Sequence, residues 1–219
     1  GNIGVETMVQ PEDLPDSLRV YSDHDFREEV ISGDVDFEFL KDKNLTLLPN
    51  GVFYRNDHQS VYSVLANGIL NERKHDKIKM IDAQKEYEKN PSKEVSDKIA
   101  RYKNSQMVKK VLANSLYGAM GNAYNRYFDV RLAQSVTYMG QVIIQWVERK
   151  LNVYLNSLLK TENVMYCVYS DTDSVFVNFA PVVEKIYGDE VPDDQRVADF
   201  LDSVGGTINI EIAKYLEEL

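Results

Sequence analysis

The chain has 219 residues and a formal net charge of −10, and 43% of its residues are hydrophobic and 11% aromatic. This composition is typical of a globular protein with a sizeable core and excludes a fibrous or disordered chain. No apolar run approaches the roughly 20 residues of a membrane span, and the first residues lack the pattern of a signal peptide. We therefore expect a soluble, cytoplasmic protein without a membrane partner. The single Cys167 excludes an internal disulfide.

Charge is distributed unevenly along the chain. Residues 1–50 and 181–219 have net charges of −8 and −7, whereas residues 71–110 have a net charge of +5. An acidic protein is a poor candidate for a nucleic-acid partner, but one basic segment suits a polyanionic ligand that binds at one place. A charge run of this kind is also typical of a solvated helix face, so both interpretations stay open.

The first 59 residues predict loops, short helices and one β-hairpin. Residues 10–45 are acidic and poorly periodic, and a short helix is expected within HDFREEVISG, residues 24–33. In the following stretch NLTLLPNGVFYRND, Asn50 and Gly51 lie between two apolar runs. This pair is the usual signal of a hairpin with a two-residue turn.

Two long helices are predicted next, joined by a short turn around Pro91. The first begins near Ser60, has Gly68 as a weak point and ends at Asn90, because the residue before a proline is disfavoured in a helix. The second begins after Ser92, which is a good N-cap residue. The short connection makes the two helices an antiparallel hairpin, and this helical hairpin carries the basic segment.

The remaining residues predict a long helix, a second β-hairpin and two further helices. The long helix begins at Val130 and has a broad apolar face, so it should be largely buried. Near the end of the chain, QRVADFLDSV predicts a helix, Gly205 and Gly206 predict a break, and TINIEIAKYLEEL predicts a final amphipathic helix. The expected fold class is α+β, with a small antiparallel sheet packed on helices and a protruding helical hairpin.

The second β-hairpin, residues 164–178, has two acidic residues at its tip. The sequence SDTD separates two apolar, β-branched runs, so Asp171 and Asp173 lie at the turn. Asp and Ser are common turn formers, which is one interpretation of this stretch. Two carboxylates held so close repel each other unless a cation lies between them. Divalent-metal binding by Asp171 and Asp173 is therefore the competing interpretation.

The helical hairpin carries residue types that bind phosphate. Arginine, lysine and amide groups on facing helices suit a triphosphate, because they offset its charge and donate to its oxygens. Basic residues at helical spacing are also usual on solvated faces, and Gly118 could simply end its helix. The residues that share a face by their spacing of three or four are Arg73 and Lys77 on the first helix, and Lys110, Asn114 and Tyr117 on the second.

Taken together, these motifs closely resemble those of family B DNA polymerases. KVLANSLYG at residues 110–118 and YSDTDS at residues 169–174 are similar to the second and third signature motifs of that family. LNERKHDK at residues 70–77 resembles the phosphate-contacting stretch of the fingers. Residues 118–156 resemble the segment linking fingers to palm in replicative polymerases of tailed bacteriophages. A DTD string alone is weak evidence for the family, whereas this combination of motifs is specific. The resemblance covers residues 44–180.

The resemblance implies a domain organisation and an activity. Residues 1–59 would belong to the palm, residues 60–120 would form the fingers, and residues 121–219 would complete the palm with its metal-binding hairpin and lead toward a thumb. The implied activity is DNA-directed DNA synthesis by nucleotidyl transfer in DNA replication. The implied ligands are primer-template DNA, a dNTP substrate and two Mg²⁺ ions.

The resemblance also implies roles for single residues. Asp171 and Asp173 look like the palm carboxylates that hold metal, with Asp173 the direct ligand and Asp171 the more dispensable one. Tyr117 and Gly118 look like the residues beneath the nascent base pair. Those implied to bind the triphosphate are Arg73, Lys77, Lys110 and Asn114. Of these, Lys110 is also expected to act in catalysis, because a cation there stabilises charge on the transferring group.

The sequence departs from the family pattern in one motif. Family members have a first palm motif, an Asp followed by S-L-Y-P-S, and no such string occurs here. We expect an upstream segment or a second polypeptide to supply this motif, the exonuclease domain and the thumb, and we expect the isolated chain not to extend a primer. Two other functions remain as alternatives: a non-catalytic polymerase-like assembly subunit, and a sugar-nucleotide transferase with an Asp-x-Asp motif. The transferase would need a nucleotide-binding unit of alternating parallel strands.

Overall fold

The computed structural model describes residues 2–34, 40, 42–172, 174–188 and 194–218, leaving aside the side chains of residues 194 and 215–218. The chain divides into two compact units. Unit 1 comprises Gly1–Phe26 and Asp36–Thr137, and unit 2 comprises Arg27–Val35 and Tyr138–Leu219.

Unit 1 begins with short elements around a small β-hairpin. A 3-10 helix spans Pro11–Asp13 and helix α1 spans Asp16–Arg19. Strands β1, Leu45–Leu47, and β2, Phe53–Arg55, pair antiparallel. Buried side chains of this hairpin pack in two clusters, one with Met120 and Leu132 and the other with Val9, Leu14 and Leu18.

The loop of this first hairpin is one residue longer than the sequence predicts. A hairpin at Asn50 and Gly51 is confirmed, but a two-residue turn is wrong. The amide of Gly51 donates to the carbonyl of Leu48 at 2.9 Å, and the amide of Leu48 donates to the carbonyl of Val52 at 3.0 Å. The loop is therefore Pro49, Asn50 and Gly51. Proline favours the first central turn position, and Gly51 takes the φ of +74° that closes a three-residue loop.

Two long helices form an antiparallel hairpin in unit 1. Helix α3 spans Val61–Lys89 and helix α4 spans Lys93–Met120. Both predicted N-caps are confirmed, since the Ser60 hydroxyl accepts from the Ser63 amide at 3.0 Å and the Ser92 hydroxyl accepts from the Val95 amide at 3.2 Å. Helix α3 continues through Gly68 without interruption.

Unit 2 places a second β-hairpin on helices. Helix α5, Val130–Leu159, begins in unit 1 and runs through unit 2. Strands β3, Cys167–Asp171, and β4, Ser174–Val177, pair antiparallel. The other helices of this unit are α2, Arg27–Ser32, α6, Ala180–Tyr187, and α7, Asp194–Glu218. The core combines α5, the β3–β4 hairpin and α7.

The predicted break at Gly205 and Gly206 is wrong. Helix α7 runs through both glycines. Each glycine disfavours a helix by about 1 kcal/mol relative to alanine. The apolar residues at intervals of four on either side pack against the core of α5 and the β3–β4 hairpin, and this burial offsets the cost. They are Val204, Ile208 and Ile212.

The fold class expected from the sequence is confirmed as α+β. In the parts of the chain that the structure describes, each sheet is a pair of antiparallel strands. The parallel-stranded unit that a sugar-nucleotide transferase would need is therefore absent from these residues. No helix among the described residues combines the length and the apolar character needed to cross a bilayer.

Candidate active site

The first part of the candidate site lies on the α3–α4 hairpin, where a polar cluster joins the two helices. The Asp76 carboxylate of α3 accepts from the Ser105 hydroxyl at 2.6 Å and from the Lys109 ammonium at 2.7 Å, both on α4. The Lys109 ammonium also lies 3.1 Å from the Glu72 carboxylate. These contacts align residues 72–76 of α3 with residues 105–109 of α4.

This alignment determines where the predicted phosphate-binding residues lie. Arg73 and Lys77 each follow a residue of the seam between the helices on α3, and Lys110 follows Lys109 on α4. Successive residues of a right-handed helix are rotated by about 100°. Because the helices are antiparallel, that step turns toward the same side of the hairpin on both. We therefore expect Arg73 and Lys110 near the same level of the hairpin, with Asn114 one turn further along α4.

The environments of these residues differ. Lys77, Lys110 and Asn114 are exposed, and Arg73 is half-buried. Neither Lys77 nor Lys110 forms an ion pair with another described residue. The Nε atom of Arg73 is inaccessible to solvent and has no hydrogen-bond partner among the described residues. A buried donor without an acceptor is costly.

Gly118 is an interior residue of α4 rather than its end. The helix continues to Met120, and Gly121 is its C-cap. The interpretation of Gly118 as a helix terminator is therefore wrong. A Cβ added at Gly118 would meet no heavy atom within 4 Å, so packing does not require glycine here. The open surface at Gly118, next to the exposed ring of Tyr117, leaves room for close approach of a ligand.

The ionisation of the seam follows from its hydrogen bonds. The Lys109 ammonium, followed by the Ser105 hydroxyl, lowers the pKa of Asp76 from its usual value of 3.8. In return, the hydrogen bond to Asp76 raises the pKa of Lys109 from 10.5, with a smaller contribution from Glu72. Both groups are therefore charged over the ordinary range of pH.

A separate group of predicted site residues lies on the β3–β4 hairpin of unit 2. Asp171 pairs with Ser174 at the end of the ladder, and Thr172 follows Asp171 in the turn. Asp173 lies outside the described residues. Thr172 has a φ of +49°, which is uncommon for a β-branched residue and is found most often at functional sites. Its hydroxyl donates to the Asp171 carboxylate at 3.0 Å.

A β-bulge directs Asp171 to the open face of this hairpin. Cys167 pairs with Val177 and Tyr169 pairs with Phe176, so Val168 is an extra residue in β3. Without it, Cys167 and Tyr169 would share a face. With it, Cys167 is buried in the core, whereas the rings of Tyr169 and Phe176 are exposed and lie 5.5 Å apart. Asp171, two residues after Tyr169, shares that exposed face.

Two asparagines of α5 anchor the start of β3. The Asn152 side-chain oxygen accepts from the Tyr166 amide at 2.7 Å and from the Cys167 amide at 3.1 Å. The Asn156 side chain accepts from the Val164 amide at 3.1 Å and donates to the Val164 carbonyl at 2.8 Å. These bonds replace strand pairing at the entry to the hairpin and fix it on α5.

The described residues do not by themselves form a complete metal site. No group of three or more His, Cys, Asp or Glu residues among them is arranged to hold a metal ion. Asp171 supplies one carboxylate on the open face of the hairpin. Burial raises the pKa of the Cys167 thiol to about 11, which suits a structural thiol rather than a metal ligand or nucleophile.

Sequence reasoning missed the residues that support the site. Asp76 and Lys109 were counted only in the net charge of the basic segment, and Asn152 and Asn156 were not singled out. A weak signal was present for the asparagines, because they are four residues apart on one helix and so share a face. No comparable signal identified Asp76 among the other acids of α3.

Comparison with known proteins identifies the family. A model of DNA polymerase family B matches residues 1–186. The chain is 30% identical over 238 residues to the DNA-directed DNA polymerase of Escherichia phage RB69, covering 90% of this chain and 26% of that protein. It is 41% identical over 113 residues to the DNA-directed DNA polymerase of Enterobacteria phage T4, covering 51% and 13%.

The similarity extends to eukaryotic enzymes. The DNA polymerase alpha catalytic subunit of Mus musculus is 32% identical over 82 residues, which are 37% of this chain and 5% of that protein. The α3–α4 hairpin and the β3–β4 hairpin both lie within the residues that the family model matches. The chain belongs to DNA polymerase family B. It spans about a quarter of the length of the phage RB69 relative.

Proposed function

We propose that this chain forms the fingers and part of the palm of a DNA-directed DNA polymerase, and that it binds the incoming dNTP, divalent metal and primer-template DNA. The observation that carries the proposal is the seam of the α3–α4 hairpin, whose contacts align the segment of Arg73 on α3 with the segment of Lys110 on α4. There the exposed side chains of Lys77 and Lys110 have no ion pair within the described residues. An anion with several oxygens would satisfy these groups.

In this proposal each residue of the hairpin has a separate task. Arg73 donates to phosphate oxygens in a fixed direction, because a guanidinium is planar. Lys77 and Lys110 offset the remaining charge, and Asn114 donates an amide hydrogen bond. Lys110 also stabilises the negative charge that develops on the transferring phosphoryl group. Tyr117 and Gly118 form the surface beneath the nascent base pair.

Asp171 and Asp173 would hold the divalent metal. Carboxylate oxygens on an exposed turn suit Mg²⁺, which prefers oxygen ligands and keeps several water molecules. Bound there as a pair of ions, Mg²⁺ would supply charge stabilisation for the attacking and leaving oxygens. Asp173 is proposed as the direct ligand and Asp171 as the supporting one. The sequence has no Asp followed by S-L-Y-P-S, so the complete metal site is proposed to need a further carboxylate from another segment or polypeptide.

An exposed aromatic residue supports a contact with unpaired DNA. Tyr124 follows the end of α4, and its side chain is 99% exposed. Two residues later, the Arg126 guanidinium lies 5.7 Å from the ring centroid of Tyr127. Exposed aromatic rings beside cations are typical of surfaces on which single-stranded bases stack. We therefore include Tyr124 in the proposed DNA-binding surface.

The proposal is tested by titrating the 219-residue protein with Mg²⁺-dATP and measuring bound nucleotide by equilibrium dialysis. Saturable binding is expected for the unmodified protein. Lys110→Ala should weaken it by about 1.5–3 kcal/mol, as loss of a hydrogen bond to a charged group does. Lys103→Ala, an exposed lysine on the same helix, is the matched control and should bind nearly as the unmodified protein does. Equal effects of the two substitutions would mean that the basic helix attracts the anion without a specific binding site, contrary to the proposal.

A further inference from the structure

The seam of the α3–α4 hairpin contains a polar cluster for which the proposed function gives no role. Asp76 is only 9% exposed although it is a carboxylate on a helix that is mostly solvated. A buried charge is costly unless it is paired and hydrogen-bonded. Both conditions hold here, because one Asp76 oxygen accepts from Ser105 and from Lys109.

Few apolar side chains of this helical hairpin are fully buried, so apolar contacts alone determine the register of its helices weakly. Within the described residues, the buried side chains of α3 are Asp76 and Ala83, and those of α4 are Val95 and Met120. The apolar residues among them are Ala83, Val95 and Met120. None of these three lies in the seam segments 72–76 and 105–109, which are next to Arg73 and Lys110. Helices that share few large apolar contacts can pack in more than one register, and one turn of displacement moves a residue by about 5.4 Å.

A single carboxylate that binds two successive turns of the partner helix removes this freedom. Ser105 and Lys109 are one turn apart on α4, so Asp76 can meet both only at one axial level and one rotation. Buried polar contacts are well attested as devices that fix the register of paired helices. The contact of Lys109 with Glu72, one turn from Asp76 on α3, adds a second point of attachment.

We propose that Asp76, bound to Lys109 and Ser105, is a positioning residue that fixes the register of α3 against α4 and so holds Arg73 and Lys110 together on the face that takes the nucleotide triphosphate. This inference rests on the proposed function. It also accounts for the different exposure of the adjacent residues Lys109 and Lys110. Lys109 is turned into the seam, with 23% of its side chain exposed, whereas Lys110 is exposed and available to a ligand.

Electrostatics and positioning make opposite predictions for loss of the Asp76 charge. Removing a negative charge near a bound polyanion should tighten binding if only long-range attraction matters. Losing the register should weaken binding, because Arg73 and Lys110 would no longer be held at the same level. The sign of the change therefore separates the two effects.

The experiment measures the dissociation constant for Mg²⁺-dATP of the 219-residue protein carrying Asp76→Asn, Lys109→Met or both. We expect each single variant to bind about tenfold more weakly, since small misplacements of binding groups have effects of this size or larger. The double variant should be no weaker than the weaker single variant, because both changes break one contact. Lys109→Arg, which can still pair with Asp76, should keep most of the affinity. Asp82→Asn and Lys103→Met are matched controls, exposed on the same two helices.

Circular dichroism of each variant accompanies the titration, so that loss of helix is separated from loss of register. If Asp76→Asn does not fold, Ser105→Ala decides the question, because it removes a hydrogen bond to Asp76 without changing the charge. Unchanged or tighter binding by folded Asp76→Asn or Lys109→Met would overturn the positioning role while leaving the proposed function standing. Absence of dATP binding by the unmodified protein would instead overturn the proposed function, and the positioning role with it.

Discussion

Gly118 is a glycine inside helix α4, where alanine would make the helix more stable. A glycine inside a helix lowers stability by roughly 0.5–1 kcal/mol relative to alanine. At Gly118 no neighbouring atom lies within 4 Å of the position that a Cβ would occupy. Nothing in the described packing therefore explains why the residue is not alanine. Close approach of the nascent base pair, as proposed, would explain it.

Gly118→Ala is predicted to increase the free energy of unfolding by about 0.5–1 kcal/mol while impairing function. Stability would be measured by urea denaturation and function by dATP binding in the presence of primer-template DNA. Gly140→Ala in α5 is the matched control, because its added Cβ also meets nothing within 4 Å. It should stabilise the protein to a similar degree and leave dATP binding unchanged. Equal binding by both variants would contradict the role assigned to Gly118.

The two acids of the β3–β4 turn should differ in importance. In a polymerase that contains this region and the first palm motif, Asp173→Ala is predicted to abolish metal-dependent nucleotidyl transfer, because a direct ligand is lost. Asp171→Ala should leave measurable activity. Each variant should still fold, since removal of one like charge relieves repulsion at the turn. Primer extension at several Mg²⁺ concentrations measures the effect, and equal losses would show that the ranking of the two acids is wrong.

At the scale of the elements, local signals predicted the helical hairpin and failed at the end of the chain. Ser60, Ser92 and Pro91 act through neighbouring backbone groups, so the sequence alone locates the starts and the turn of α3 and α4. Helix α7 crosses Gly205 and Gly206 because its apolar side chains pack on residues distant in sequence, which no local pattern reveals. Helix α6 was not predicted, although its Pro181 lies in the first helical turn, where proline is tolerated.

In the candidate site, too, local motifs were visible in the sequence, whereas contacts between distant residues were not. The sequence singles out one motif on helix α4, and the roles assigned to its residues stay predictions. These residues are Lys110, Asn114, Tyr117 and Gly118. The partner of Lys109 was not predictable, because helical spacing does not identify which acid on another helix will be opposite. The orientation of Asp171 was also beyond the sequence, since it depends on the extra residue Val168 in β3.

The attachment of the β3–β4 hairpin to α5 can be tested at Asn152. Asn152→Ala removes the acceptor of the buried amides of Tyr166 and Cys167. An unsatisfied buried donor costs about 1–3 kcal/mol, so the free energy of unfolding should fall by about 2–3 kcal/mol. Gln134→Ala removes an exposed amide from the same helix and should have little effect. Near-equal urea midpoints for the two variants would contradict the anchoring role.

At the scale of the whole molecule, the charge distribution agrees with the division of tasks. The net charge is −10, yet the residues of the helical hairpin from 71 to 110 are basic. An acidic surface elsewhere disfavours unspecific attachment to DNA, while the basic hairpin attracts an anionic ligand to one place. The interaction proposed for the hairpin should therefore weaken with increasing salt.

Stability of unit 1 should depend on alkaline pH through buried groups. Burial raises the pKa of Tyr54 from 10.0 to about 12, against the smaller opposing effect of its hydrogen bond to Ser135. The phenol hydroxyl and the Ser135 hydroxyl are 2.8 Å apart. Because the pKa is raised in the folded protein, the stabilisation is complete below pH 10, the unfolded value, and is lost as pH rises through about 12. Lys109, whose pKa is also raised, loses its contribution above its own unfolded value of 10.5.

Tyr54→Phe isolates the tyrosine contribution, because it removes this titration and leaves the Asp76–Lys109 pair in place. The difference in the free energy of unfolding between the unmodified protein and Tyr54→Phe should be constant from about pH 8 to about pH 10. It should then change by about 2–3 kcal/mol toward pH 12, in the direction that disfavours the unmodified protein, since one pKa unit corresponds to about 1.4 kcal/mol. Urea denaturation at successive pH values measures this difference. A difference that stays flat up to about pH 12 would mean that the Tyr54 hydroxyl ionises equally well in the folded and unfolded protein, contrary to its burial beside Ser135.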